Sequence, residues 1–125
     1  MSCAEGTLAR TGPKELTPVE KLFEGADLYG VRGEAALVTE PLQYAMRPCV
    51  TVTTSAGHKI VCEVDHDFRL CDGGYVAASE SLQRSIRTPE GMTEVISVKK
   101  AGIKRVVMIH AEPTEQPYET NGILS

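Results

Sequence analysis

Turn-forming residues divide this chain into short runs that are rich in Val, Ile and Thr. Glycine and proline recur in small clusters, which favour tight turns over long regular elements. These clusters lie at 55–57, 72–74, 89–91 and 101–102. The runs between them alternate in part between apolar and polar residues, as is typical of short strands. They occupy 35–39, 48–54, 59–64, 75–78, 92–99 and 103–111. The pattern therefore predicts an all-β domain, in which 51–54 and 58–64 pair as a hairpin.

Helical signals are few. The segment Thr17–Gly25 has threonine at the N-cap position, proline at the first helical position and glycine at its end, and these predict one short helix. A weaker helical turn is predicted at 79–84. The segments 41–46 and 113–117 are predicted to be surface loops, and the basic pairs at 99–100 and 104–105 to flank an exposed turn.

The composition excludes several classes of partner. The chain has 125 residues and a formal net charge of −4. Its basic residues are dispersed, which argues against a surface for nucleic acid or anionic membranes. No apolar run approaches the length of a membrane span, and the N-terminus has no signal-peptide pattern. We therefore expect a single cytoplasmic domain that is monomeric and has its own core.

The four cysteines do not form a metal-binding pattern. Cys3, Cys49, Cys62 and Cys71 contain no C-x-x-C pair and no tight ligand cluster, so we expect neither a zinc site nor another cofactor. Cys49, Cys62 and Cys71 lie in or beside β-branched runs and are predicted to be buried. Cys3 lies outside any apolar run.

Cys3 is positioned to react with the backbone that precedes it. Its thiol can attack the carbonyl of the Ser2–Cys3 peptide bond and convert the amide into a thioester. The leaving nitrogen must be protonated, and histidine is suited to that task near neutral pH. His66 is the best candidate because it ends a predicted strand, whereas His58 should be exposed in a turn and His110 partly buried. A loose terminal cysteine and a surface histidine remain the simpler interpretations.

Several segments, taken in order, resemble inteins of the Hint fold family and, more distantly, the autoprocessing domain of hedgehog proteins. The segment 3–8 is similar to the N-terminal splicing block, which begins with cysteine, and 57–68 to the block whose signature is Thr-x-x-His. The other similar segments are 15–30, 72–78, 105–111 and 118–125. Together they span nearly the whole chain in the order that the family has.

The resemblance implies a protein-splicing domain with a horseshoe-like all-β fold of pseudo-twofold halves. Residues 1–2 would be a remnant of the upstream extein or a tag, and 3–125 a mini-intein with no endonuclease domain. Cys3 would carry out an N-to-S acyl shift on its bond to Ser2, assisted by His66. The thioester would then pass to a residue after the intein, and a terminal asparagine would cyclise. Such a protein processes itself once instead of turning over.

The sequence departs from the family pattern at four places. Glu63 replaces the threonine of Thr-x-x-His, so its carboxylate would orient the scissile amide differently or point elsewhere. Met108 aligns with the usual aspartate, and the histidine before the last block has no clear match, Glu115 or Gln116 lying closest. The terminal His-Asn pair is absent after Ser125. Without that pair, the chain as written would be limited to the first steps of splicing.

The candidate catalytic residues are therefore Cys3, Glu63 and His66, and Ser125 is expected to lie near Cys3 and His66 in space. The expected partners are the flanking extein polypeptides and, for a split intein, a complementary fragment. Two alternatives stay open: a Hint domain that only cleaves, and a small β-rich binding domain without catalysis.

Overall fold

Short strands dominate the structure, a computed structural model that describes residues 2–31, 33–113 and 117–125. The strands are β1 Ser2–Ala4, β2 Leu8–Gly12, β3 Glu15–Pro18, β4 Asp27–Gly30, β5 Gly33–Val38, β6 Gln43–Thr54, β7 Lys59–Glu63, β8 Asp67–Arg69, β9 Tyr75–Ala77, β10 Ser85–Thr88, β11 Gly91–Met108, β12 Ala111–Glu112, β13 Glu119–Thr120 and β14 Ile123–Leu124. The predicted all-β class is confirmed, as is the hairpin of β6 and β7, in which Thr53 pairs with Lys59.

The predicted helix at Thr17–Gly25 is wrong. Thr17 and Pro18 belong to β3, which pairs with β2, and only a single 3₁₀ turn, Val19–Lys21, follows. The stretch between Pro18 and Gly25 is too short to offset the cost of nucleating an isolated helix. A second 3₁₀ turn, Ala78–Glu80, begins just before the helical turn predicted at 79–84.

Two long strands, β6 and β11, lie next to each other in the largest sheet. They pair antiparallel from Thr54 opposite Val95 to Gln43 opposite Met108. Two predictions are corrected here, because 43–46 belongs to β6 instead of a loop, and 101–102 lies inside β11 instead of forming a turn. Gly102, with a φ of +79°, takes up a register shift that lets β11 continue.

The first strand, β1, pairs with two other strands of this sheet. The strand order is β1-β7-β6-β11-β10, and β1 also pairs with β11. A second sheet, of order β14-β13-β2-β3, joins the last two strands to the segment that follows β1. The first strand is therefore fixed to the largest sheet, and the last two strands are fixed to β2.

The apolar side chains form two clusters. One packs Cys3 and Cys62 with residues of β6, β8 and β10, including Phe68. The other surrounds Leu28 and includes Val107 from the end of β11. The site described below lies where β1, β7 and the C-terminal strands meet.

The solvent exposure of two side chains differs from what the sequence predicted. Cys49 and Cys62 are buried as expected, but Cys71 is exposed, because it lies in the turn between β8 and β9. His110 is exposed instead of partly buried, because β11 ends before it. Within the described ranges, no helix has the length and apolar character to cross a membrane.

Candidate functional site

Cys3 lies at the centre of β1, completely buried between two neighbouring strands. Its Cα partners are Cys62 on β7 and Val107 on β11. Burial raises the pKa of the Cys3 thiol to about 12, and the nearby side chain of Thr120 opposes this only in part. At neutral pH the group is therefore a thiol, with on the order of one thiolate in 10⁵ molecules.

His66 lies in the turn between β7 and β8, where two backbone bonds fix it. Its N–H donates to the carbonyl of Glu63 at 2.9 Å, and its carbonyl accepts from the N–H of Ala78 at 2.8 Å. The ring packs edge-on against Phe68, with the ring centroids 5.3 Å apart. Burial lowers the pKa of His66 to about 3, so the imidazole is neutral at physiological pH.

The two ring nitrogens of His66 have different surroundings. Nε2 lies 2.9 Å from Oγ of Ser125. Nδ1 is buried and has no hydrogen-bond partner among the described residues. An unsatisfied nitrogen in so buried a ring is uncommon, and such atoms are often found at reactive sites.

The C-terminal strands bring hydroxyl groups between His66 and Cys3. Oγ1 of Thr120 lies 3.3 Å from Oγ of Ser125, and the same Thr120 side chain is within hydrogen-bonding reach of the Cys3 thiol. Thr120 is completely buried and Ser125 half-buried. Ser125 is held in place by its own N–H, which donates to the carbonyl of Tyr118 at 3.1 Å. The structure thus brings Ser125 into contact with His66 and Thr120, and the meeting of all three with Cys3 stays a prediction.

Thr120 had no signal in the sequence that set it apart. It is one of two residues in β13, and its role depends on the β13–β14 turn that directs Ser125 back toward it. The pairing of Thr120 with Ala9 places it beside β2, the strand that follows β1.

A partly buried ion pair joins the C-terminal strands to β2. Nε of Arg10 lies 2.9 Å from Oε1 of Glu119, and its NH2 group lies 3.2 Å from Oε2. The carboxylate is about 10% exposed, so both of its oxygens are paired where water has little access. This bidentate contact fixes the residue next to Thr120.

Asn121 makes a second connection across the site. Its Oδ1 accepts from the N–H of Leu8 at 2.8 Å, and its Nδ2 donates to the carbonyl of Lys59 at 3.0 Å. Its φ of +48° is left-handed, a conformation that asparagine tolerates better than most residues. One side chain thus links β2, β7 and the β13–β14 turn.

Glu63 and Met108 lie beside the site with different surroundings. Oε1 of Glu63 is 3.5 Å from Nε of Arg47 on β6. Because strand side chains alternate, Glu63 faces away from the side on which Cys62 meets Cys3. Met108 is the Cα partner of Ser2, which places a half-buried thioether, without a proton to donate, next to the residue whose carbonyl Cys3 would attack.

The described residues contain no group of three or more His, Cys, Asp and Glu side chains arranged to hold a metal ion. The chemistry that the site itself offers is that of a buried thiol, a neutral imidazole and two hydroxyl groups.

Comparison with protein-family models and with curated proteins gave no match, but solved structures match over almost the whole chain. The gp41-1 intein has a TM-score of 0.86 at 15% identity, covering 100% of this chain and 98% of that one. The MchDnaB-1 intein has a TM-score of 0.81 at 19% identity, covering 98% and 97%. An intein-like domain from Clostridium thermocellum has a TM-score of 0.81 at 18% identity, covering 98% and 96%. The chain therefore has the all-β Hint fold of the inteins, as the resemblance of its segments implied.

Proposed function

We propose that this chain is an autocatalytic protein-splicing domain, an intein, whose partners are the flanking extein polypeptides. The observation that carries the proposal is the convergence of Cys3, His66 and the C-terminal Thr120–Ser125 segment at one buried place. Splicing requires both ends of the domain to meet at one site, and a binding domain would have no need of that arrangement.

The first step is an N-to-S acyl shift. Sγ of Cys3 attacks the carbonyl carbon of Ser2, the C–N bond breaks, and a thioester and a free Cys3 amine result. Forming the thiolate beforehand would cost about 7 kcal/mol at pH 7, given a pKa of about 12 and about 1.4 kcal/mol per pH unit. The proton must therefore leave the thiol as the new bond forms.

His66 is suited to protonate the leaving nitrogen. A planar amide nitrogen is not a hydrogen-bond acceptor. A ring nitrogen that protonates the amide nitrogen would therefore have no hydrogen-bond partner until the amide distorts. Nδ1 of His66 is buried and has no such partner among the described residues. The low pKa of His66 also makes its imidazolium form a strong acid once formed.

Glu63 completes the proposed set of catalytic residues. Its side chain is on the opposite face of β7 from Cys62, so its carboxylate would have to leave Arg47 and turn toward Cys3 to orient the scissile amide. It lies at the end of β7, three residues before His66, in the position of the threonine in the intein pattern. Its pairing with Arg47 at 3.5 Å is loose and partly exposed, so it does not hold the carboxylate firmly in place. Glu63→Gln should slow thioester formation, and an unchanged rate would remove Glu63 from the proposal.

A fusion protein tests the function directly. One reporter is joined before Ser2, and His-Asn-Cys followed by a second reporter is joined after Ser125. Mass spectrometry should detect the two reporters ligated and the chain excised. Dithiothreitol should release the upstream reporter, and Cys3→Ala should abolish both reactions.

The outcomes separate the candidate functions. Released reporters without a ligated product would indicate a domain that only cleaves. No thiol-dependent release from the unaltered chain, or equal release from Cys3→Ala, would contradict autoprocessing at Cys3 and favour a binding domain.

A further inference from the structure

We propose that Thr120 is a catalytic residue of the acyl shift and that Ser125 completes a proton path from the Cys3 thiol to Nε2 of His66. The inference rests on the proposed function and goes beyond it. In the sequence comparison, Met108 replaces an aspartate and leaves the thiol without an acidic helper there. The hydroxyl groups of the C-terminal strands fill that role from the other side of Cys3.

Two of the three links of the path are short contacts in the structure. Oγ1 of Thr120 is 3.3 Å from Oγ of Ser125, and that oxygen is 2.9 Å from Nε2 of His66. At the other end, the Thr120 side chain is close enough to the Cys3 thiol to influence its pKa, and we propose that a hydrogen bond forms there during the reaction. Hydroxyl groups both donate and accept, and their hydrogens rotate freely between partners. Two hydroxyls in series can therefore carry a proton between a thiol and an imidazole that do not touch.

No competing base faces the thiol among the described residues. Cys62 and Tyr118 are buried, and burial raises their pKa values, so neither is an available anion. The Glu119 carboxylate is paired with Arg10, and that of Glu63 faces away from the side on which Cys62 meets Cys3. The neutral imidazole of His66, reached through Thr120 and Ser125, is the base that the geometry supplies.

The protons balance without an outside source. The ring starts with its hydrogen on Nδ1. The thiol proton passes to Thr120, the Thr120 proton to Ser125, and the Ser125 proton to Nε2. The Nδ1 hydrogen moves to the leaving nitrogen of Cys3 as the Sγ–C bond forms and the C–N bond breaks. The ring ends neutral, with its hydrogen on Nε2.

The test uses the full chain fused after an upstream reporter and follows release by saturating dithiothreitol. Thr120→Val removes the hydroxyl and keeps the shape, and we expect it to slow release by roughly 10²-fold, the lower end of the range for general acid–base catalysis. Thr120→Ser, which restores a hydroxyl, should recover most of the rate. Ser125→Ala should match Thr120→Val.

A solvent isotope effect separates proton transfer from packing. The unaltered chain should release its reporter more slowly in deuterium oxide, with a curved dependence on the deuterium fraction because several protons move together. Thr120→Val should lose that curvature. Thermal unfolding of each variant shows whether it is folded, and if Thr120→Val is not, Ser125→Ala with Ser125→Thr as its rescue replaces it.

The outcomes distinguish the two proposals. No thiol-dependent release from the unaltered chain overturns the proposed function. Release at an unchanged rate from a folded Thr120→Val or Ser125→Ala variant overturns the proton path alone. A slow Thr120→Val that Thr120→Ser fails to rescue assigns the effect to packing and also overturns the path.

Discussion

Burial keeps Cys3 and His66 in their neutral forms at physiological pH. Desolvation disfavours charge, so it raises the pKa of the thiol to about 12 and lowers that of the imidazole to about 3. A thiol and a neutral imidazole can coexist without reaction until a proton moves between them. The site therefore depends on its hydroxyl groups and not on a preformed ion pair.

At the residue scale, the low pKa of His66 predicts acid sensitivity. Below pH 6.5 the unfolded chain takes up a proton at this ring, whereas the folded chain does so only near pH 3, so stability is lost as the pH falls. Relative to His66→Gln, the free energy of unfolding of the unaltered chain should fall by about 3 kcal/mol between pH 7 and pH 4. Urea unfolding of both proteins at pH 7 and at pH 4 measures this change in the free energy of unfolding. A difference that does not depend on pH would contradict the buried neutral ring.

At the element scale, the C-terminal hairpin is held by side chains that cross to β2 and β7. The Arg10–Glu119 pair and Asn121 join residues more than a hundred positions apart in sequence. β13 and β14 have two residues each, and pairs this short are not stable alone. These contacts, with burial of Ile123 and Leu124, keep Thr120 and Ser125 in place.

Substitutions at Asn121 separate its bonds from its backbone conformation. Asn121→Gly keeps the left-handed turn and loses both side-chain bonds, so it should cost about 1–2 kcal/mol. Asn121→Ala should cost about 1 kcal/mol more because of its Cβ at positive φ. Asn121→Asp keeps the acceptor for Leu8 but turns a carboxylate oxygen toward the Lys59 carbonyl, so it should lose at least as much as Asn121→Gly. Chemical denaturation measures all three, and equal stability of Asn121→Gly and the unaltered chain would show that the bonds do not contribute.

At the scale of the whole molecule, neither sequence half contains a complete core. The cluster around Cys3 includes Val95 and Ile123, and the cluster around Leu28 includes Val107 and Ile109. All four belong to the segment after β10. The segment that carries β11 to β14 is thus shared by both clusters.

A cut in the turn between β10 and β11 should therefore give two fragments that fold only together. Residues 1–90 and 91–125 each leave apolar surface unpaired, but β11 can pair again with β1, β6 and β10. Circular dichroism and size-exclusion chromatography should show a folded one-to-one complex after mixing. A cooperatively folded 1–90 fragment would contradict the shared core. Complementation would also show that the domain can assemble from two pieces, as a split intein does.

Local sequence patterns determined much of this protein. Turn residues and β-branched runs predicted the all-β class. They located β7 and β9 to within one residue and β5 to within two, because turn geometry and alternation act over a few positions. The position of Cys3 and its similarity to a splicing block singled out the candidate nucleophile. His66 followed from its place at the end of a predicted strand.

Only the tertiary structure decided how these parts meet. The register of β6 on β11 turned a predicted loop and a predicted turn into continuous strand, because pairing offsets the weak local preferences of 43–46 and 101–102. A separate long-range pairing, that of β13 with β2, placed Thr120 beside the N-terminal strands. Local sequence patterns do not indicate such contacts, because the contacts form only when residues from opposite ends of the chain are buried against each other.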